Sequence, residues 1–162
     1  QMPHFGAEDV LCQPLLYPAA DAAGRTSSYY SLKGAVKAWI DVIVTQGNAA
    51  TILLSPMQAL AVAGTTPIAC RAMRIWAQLT TTAVNFTAQT EATTYTTDAG
   101  VSNKVVRFEL DLNKALTPES ASGVYDCVAI STGASNAANI TAATLYWIPR
   151  HHGASSESVI TD

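Results

Sequence analysis

The chain has few charged residues and no long apolar run, and each shortage argues against a class of protein. Charged residues make up 13% of the 162 residues, about half the share of a typical soluble domain. The net charge of −3 argues against a nucleic-acid binder, which needs a basic surface. No run of about 18 apolar residues occurs, so no membrane span is expected. No basic segment followed by an apolar one opens the chain, so no signal peptide is expected.

The residue types that catalyse reactions or bind metals do not cluster in the sequence. An odd number of widely spaced cysteines makes neither a disulfide framework nor a zinc site, and these are Cys12, Cys70 and Cys127. We expect Cys127 to pack as a small apolar residue; one disulfide with a free thiol is the alternative. His4 and the adjacent pair His151 and His152 lie near the two ends. No nucleophile elbow or phosphate-binding glycine loop is present. We therefore expect no enzyme activity, no catalytic residue, no cofactor and no metal.

The chain is rich in short segments in which apolar and polar residues alternate. The clearest are residues 36–44, 105–112 and 140–148. Alternation with a period of two is typical of a strand with one buried face. Seven or eight such segments predict an all-β fold, a β-sandwich or jelly roll. The inward rows of the two clearest strands are expected in one core: Val36, Ile40, Val42, Val106, Phe108 and Leu110.

Turn signals suggest how some strands connect. Gln46, Gly47 and Asn48 predict a hairpin turn that leads to a returning strand at residues 51–59. Pro56 would place the end of that strand at an edge or a bulge. The threonine-rich residues 87–97 predict one or two polar, exposed strands.

The two ends of the chain lack this periodicity. Residues 1–30 contain several prolines and predict an irregular, extended N-terminal arm that a neighbouring chain would order. Residues 31–150 form the expected β-domain, and residues 151–162 a short polar C-terminal tail. A surface with so little charge is often covered by partners. The candidate partner-binding residues are Pro14, Leu15, Leu16, Tyr17, Pro18 and Arg150.

Several segments resemble a group of small tailed-phage virion proteins similar to capsid decoration or cement proteins. They are Ser31-Leu32-Lys33-Gly34, residues 50–64, residues 126–149 with the following Arg150, and the closing residues 158–162. The resemblance covers most of the chain from about Ser28 onward. In those relatives the arginine precedes an aromatic residue, whereas here His151 follows it.

The resemblance implies a non-enzymatic virion structural protein. Such a protein binds the outside of a phage capsid and bridges neighbouring copies of the major capsid protein. It also implies assembly in the host cytoplasm, a final place on the capsid surface, and self-association as a dimer or trimer. A tail-tube or connector role is a variant of this hypothesis. The alternative is a carbohydrate-binding or adhesive β-sandwich module, with Trp39, Trp76, Tyr95 and Trp147 as stacking platforms.

Overall fold

The computed structural model describes residues 9–80, 85–118 and 120–150. Two antiparallel sheets pack face to face, which confirms the all-β sandwich. The described residues contain no helix long and apolar enough to cross a membrane. The strands are β1 (Leu11–Ala20), β2 (Arg25–Thr26), β3 (Tyr30–Ser31), β4 (Ala35–Gln46), β5 (Leu53–Ala59), β6 (Ile68–Ala69), β7 (Arg74–Gln78), β8 (Thr87–Ala88), β9 (Tyr95–Thr96), β10 (Asn103–Leu110), β11 (Cys127–Thr132) and β12 (Asn139–Pro149).

The first sheet contains the long strands in the order β1-β12-β4-β10-β7-β8. The second sheet has the order β2-β11-β5-β6, with β3 also paired to β11 and β9 to β5. The three longest alternating segments of the sequence, now β4, β10 and β12, lie side by side in the middle of the first sheet. Neighbouring strands on both sides satisfy their backbone groups, which is why these strands can be long and apolar on one face.

The inward rows form the core as predicted, with one exception. Ile40, Val42, Val106 and Phe108 are fully buried, and Leu110 nearly so. Val36 is 59% exposed, so its assignment to the core is wrong. The pairing of β4 with β12 shifts between the last two pairs, which leaves Val36 as an extra residue on β4. A bulge of this kind reverses the side to which the preceding residues point.

The expected hairpin between β4 and β5 does not form. β4 pairs with β10 and β12, whereas β5 belongs to the second sheet and pairs with β11. The connection after Gln46 therefore crosses from one sheet to the other. Pro56 lies in the middle of β5, between the residues that pair with β6 and those that pair with β9. Its missing N–H falls in that gap, so the proline costs no sheet hydrogen bond.

The irregular N-terminal arm is also corrected. Leu11–Ala20 is a strand, paired from Leu11 opposite Trp147 to Ala20 opposite Ile140. Two register shifts interrupt the pairing, on either side of Leu16. The register shifts interrupt the alternation of apolar and polar residues along β1. The prolines, which an edge strand tolerates, add a further signal against a strand. The sequence pattern therefore did not predict β1. Residues 1–8 of the predicted arm and the tail at residues 151–162 lie outside the described residues.

A buried acidic side chain joins β1 to the second sheet. Asp21 is fully buried and accepts hydrogen bonds from the hydroxyls of Thr132, at 2.7 Å, and Thr141. Arg25 donates to the Asp21 carboxylate at 3.2 Å, and its Nη1 donates to the carbonyl of Tyr17 at 2.8 Å. Burial of a carboxylate without such hydrogen bonds would cost free energy. The cluster fixes the end of β1 against β11 and β12.

The threonine-rich region matches its prediction. Within residues 87–97, β8 and β9 are two short, mostly exposed strands that lie in different sheets. Cys127 is fully buried, as expected.

Candidate binding surfaces on the two sheets

The outer face of the second sheet carries almost no charge. Arg25 is the only charged residue in its six strands, and its Nη2 donates to the carbonyl of Thr141, on the first sheet. The pairing places small or uncharged residues outward, at half-buried or exposed positions that we call the uncharged face: Thr26, Leu53, Ser55, Met57, Ala69 and Ser131. Leu53 is 42% exposed. Such a face can approach another protein closely without removing charges from water.

The first sheet differs, because its strands contain six charged residues. Several of these face outward and surround aromatic side chains. Together they line a recess of about 320 Å³, the aromatic recess, formed by Lys37, Trp39, Trp76, Phe86, Arg107 and Glu109. A concave site with aromatic walls and a few polar groups is the usual form of a small-molecule pocket, and this volume is near the lower end of that range.

The strand register brings these side chains together. Glu109 on β10 lies opposite Trp39 on β4, and Arg107 lies opposite both Asp41 on β4 and Trp76 on β7. Residues two apart on one strand point to the same face, so these side chains all leave the sheet outward. Period-two alternation within each segment places Trp39 and Trp76 on a polar strand face. It gave no sign that β10 lies between their strands.

An ion pair holds one wall of the recess. Arg107 donates from Nε and Nη2 to the two carboxylate oxygens of Asp41, both at 2.7 Å. This bidentate pair raises the pKa of Arg107 above its ordinary value, chiefly through the hydrogen bond. The guanidinium carbon also lies 5.7 Å from the Trp39 ring centroid and 5.3 Å from that of Phe86. Cation–π attraction therefore adds to the placement of Arg107.

The opposite wall is set by Glu109. Its Oε2 accepts a hydrogen bond from Nε1 of Trp76 at 3.2 Å, and its Oε1 lies 4.0 Å from Nζ of Lys37. Tyr146 of β12 stacks on Trp39 with ring centroids 5.6 Å apart and an interplanar angle of 14°. Tyr146 thus holds Trp39 in place, and Glu109 holds Trp76. The recess is therefore formed in the absence of a ligand.

The other two proposed platforms lie elsewhere. Tyr95 and Trp147 are half-buried and pack against the core. No local pattern in the sequence marks Phe86, Lys37 or Arg107 as site residues, because their proximity depends on strand order and on a loop.

The candidate partner-binding residues divide into two groups. Leu15 and Leu16 are 7% and 8% exposed and belong to the core, so they are not available to a partner. Tyr17 is 76% exposed, and Pro14, Pro18 and Arg150 are also exposed. For these four the partner role stays a prediction.

No group of three or more metal-ligating side chains occurs within the described residues. His4, His151 and His152 lie outside them. None of the three cysteines forms a disulfide; Cys12 is exposed and the other two are buried. Burial raises the pKa of the Cys70 thiol to about 12, so this side chain stays a neutral thiol at physiological pH.

No family model and no curated protein matches the chain. Among solved structures the chain is similar to the SPBc2 prophage-derived protein YomS. The TM-score is 0.47 at 6% identity, over 86% of this chain and 93% of that chain. A similarity this distant says nothing about what the present chain binds.

Proposed function

We propose that this is a non-enzymatic phage virion structural protein. It binds the outside of a capsid through the uncharged face and stabilises the shell by bridging neighbouring major capsid subunits. One observation carries the proposal: the strands of the second sheet contain a single charged residue, Arg25, whose guanidinium is bound to the first sheet. The resemblance of the sequence to phage virion proteins supplies the identity of the partner.

The physical case rests on the cost of removing water. The fully buried centre of a protein interface is depleted of charged side chains and enriched in methionine. The uncharged face carries no charged side chain, and its one methionine, the half-buried Met57, lies opposite the exposed Ala69. A protein that binds only the assembled shell lowers the free energy of that state by mass action. A bridging site that spans several subunits exists only on the lattice.

The test is cosedimentation of the full chain with expanded shells and with unassembled capsid subunits. We expect tight binding to shells and weak binding to free subunits. Ser55→Lys places a charge on the uncharged face and should weaken shell binding by about tenfold or more. Thr45→Lys makes the same change at an exposed position on the first sheet and should bind as the unchanged protein does.

Two results would contradict this proposal. One is failure of the full chain to sediment with any shell. The other is equal binding by the Ser55→Lys and Thr45→Lys variants, which would remove the uncharged face from the contact. Sedimentation velocity of the isolated chain tests the expected dimer or trimer. Particles that carry the protein at a tail or connector, rather than over the shell, would support the variant role.

A further inference from the structure

We propose that the aromatic recess is a binding site for a neutral saccharide. The recess lies on the outer face of the first sheet, and the uncharged face lies on the opposite side of the sandwich. A chain bound to a shell through the second sheet would turn the recess toward the medium. The proposal stands on the lining of the recess and does not require that the capsid role be correct.

The ring faces supply the first part of the argument. Trp39 and Trp76 are half-buried, and Phe86 is 37% exposed at the rim. Aromatic faces carry partial negative charge. One face of a hexose ring presents C–H bonds with partial positive charge, so the two surfaces attract and bury apolar area together. Three aromatic walls around about 320 Å³ suit a ligand that is ring-shaped.

The polar groups supply the second part. Glu109 accepts one hydrogen bond, from Trp76, and keeps carboxylate capacity for a hydroxyl. Lys37 has a 57% exposed side chain and touches Glu109 only at 4.0 Å, so its ammonium can donate to a ligand. Arg107 uses Nε and Nη2 for Asp41, and its Nη1 makes no hydrogen bond to the described residues. Donors and acceptors thus surround the rings, as the hydroxyls of a sugar require.

The positive and negative side chains at the recess balance each other, and this favours a ligand without net charge. Lys37 and Arg107 are positive, Glu109 and Asp41 are negative, and each positive side chain is paired with a negative one. An anion would have to compete with these two carboxylates, and a cation with the two basic groups. A polyhydroxyl ligand uses both kinds of group without either penalty.

Two of the side chains that line the recess, Trp39 and Arg107, are held in place by neighbouring side chains. Tyr146 stacks on Trp39, and the bidentate contact with Asp41 fixes Arg107. A ligand therefore does not have to order these side chains when it binds, which lowers the entropic cost of binding.

Saturation-transfer NMR on the full chain tests the proposal. The probes are lactose, maltose, cellobiose and chitobiose, with sialyllactose as the acidic counterpart of lactose. We expect saturation transfer to ring protons of at least one neutral disaccharide. Trp76→Ala and Lys37→Ala should each weaken that binding, the former by about tenfold or more. Lys33→Ala removes an exposed lysine outside the recess and should leave it unchanged.

Circular dichroism of Trp76→Ala shows whether this variant folds. If it does not, Lys37→Ala decides, because an exposed lysine can be truncated without unfolding the sandwich. No transfer to any neutral disaccharide at millimolar concentration would overturn the proposal. Binding that both variants retain would do so too, as would binding of sialyllactose alone. Shell binding by the same variants, measured separately, distinguishes this failure from failure of the capsid role.

Discussion

At the scale of single residues, the sandwich depends on which member of each alternating pair faces inward. Phe108 is fully buried between the sheets, whereas Val36, which the same periodicity places inward, is 59% exposed at the bulge in β4. The two side chains therefore contribute differently to the free energy of unfolding, although the alternating pattern assigns both to the inward row.

Truncation of these two side chains measures the difference. Phe108→Ala should lower the free energy of unfolding by about 3–5 kcal/mol, because it removes a buried ring and leaves a cavity. Val36→Ala should change it by less than about 0.5 kcal/mol, as surface substitutions do. Urea denaturation followed by tryptophan fluorescence gives both values. A similar loss in the two variants would mean that Val36 is buried after all.

Lys104 is the second residue of consequence, since it carries a charge into the interior. Its side chain is fully buried, and Nζ contacts Oδ1 of Asp98 at 2.9 Å and Oε1 of Gln46 at 2.7 Å. It also donates to the carbonyl of Gly100. A buried ammonium needs all these acceptors. They tie the loop before β10 to the end of the sandwich.

This contact predicts a stability change in acid. The hydrogen bond from Lys104 holds the pKa of Asp98 below its ordinary value of 3.8. Because the pKa is lower in the folded state, the contribution is fully present above the unfolded pKa and disappears as the pH falls through the folded one. Asp98→Asn should therefore be less stable than the unchanged protein at pH 6, and the gap should narrow as the pH falls below 3.8, the ordinary pKa of this carboxyl group, and then through its lower folded value. Urea midpoints across that range measure it, and a constant gap would contradict the ion pair.

At the scale of elements, β1 shows that residues 11–20 belong to the β-domain and not to an irregular arm. It pairs with β12 along most of its length and contributes Leu15 and Leu16 to the core. A deletion of residues 1–27 would thus remove an edge strand and part of the core, and would not leave the β-domain intact as an arm would.

Two neighbouring positions on β1 give a direct test. Leu16 is 8% exposed and Tyr17 is 76% exposed. Leu16→Asp buries an unpaired carboxylate and should cost about 3 kcal/mol or more. Tyr17→Asp should change the free energy of unfolding by less than about 0.5 kcal/mol. Far-UV circular dichroism during thermal unfolding compares them. Equal stability of the two variants would mean that Leu16 is not buried and that this segment is an irregular arm after all.

At the scale of the whole molecule, the two outer faces have different chemistry. Charged and aromatic residues lie outward on the first sheet, and small uncharged residues on the second. This asymmetry fits the proposal that the second sheet lies on a capsid and that the first sheet faces the medium.

The reactivity of the three cysteine thiols shows whether the whole molecule is folded. Cys12 is exposed, and the thiols of Cys70 and Cys127 are buried. We expect a thiol reagent to modify Cys12 quickly in the native protein and the other two only on global unfolding. Denaturant should release both buried thiols in one cooperative step. Rapid modification of all three in the native state would mean that the sheets separate locally.

Much of the strand content followed from the sequence. Period-two alternation is a local property, so β4, β10 and β12 and most of the inward residues of β4 and β10 could be predicted from neighbouring residues alone. Prolines and bulges interrupt that local signal, and they concealed β1 and the reversal at Val36.

Only the tertiary structure decided which strands are neighbours. Strand order depends on contacts between residues far apart in the chain, such as Glu109 with Trp39 or Ser55 with Ser131. Alternation within β4 and within β10 by itself places Trp39 and Arg107 on the outward row of each strand. That they meet in one recess follows from the placement of β10 between β4 and β7, since cross-strand contacts arise only when the sheet forms.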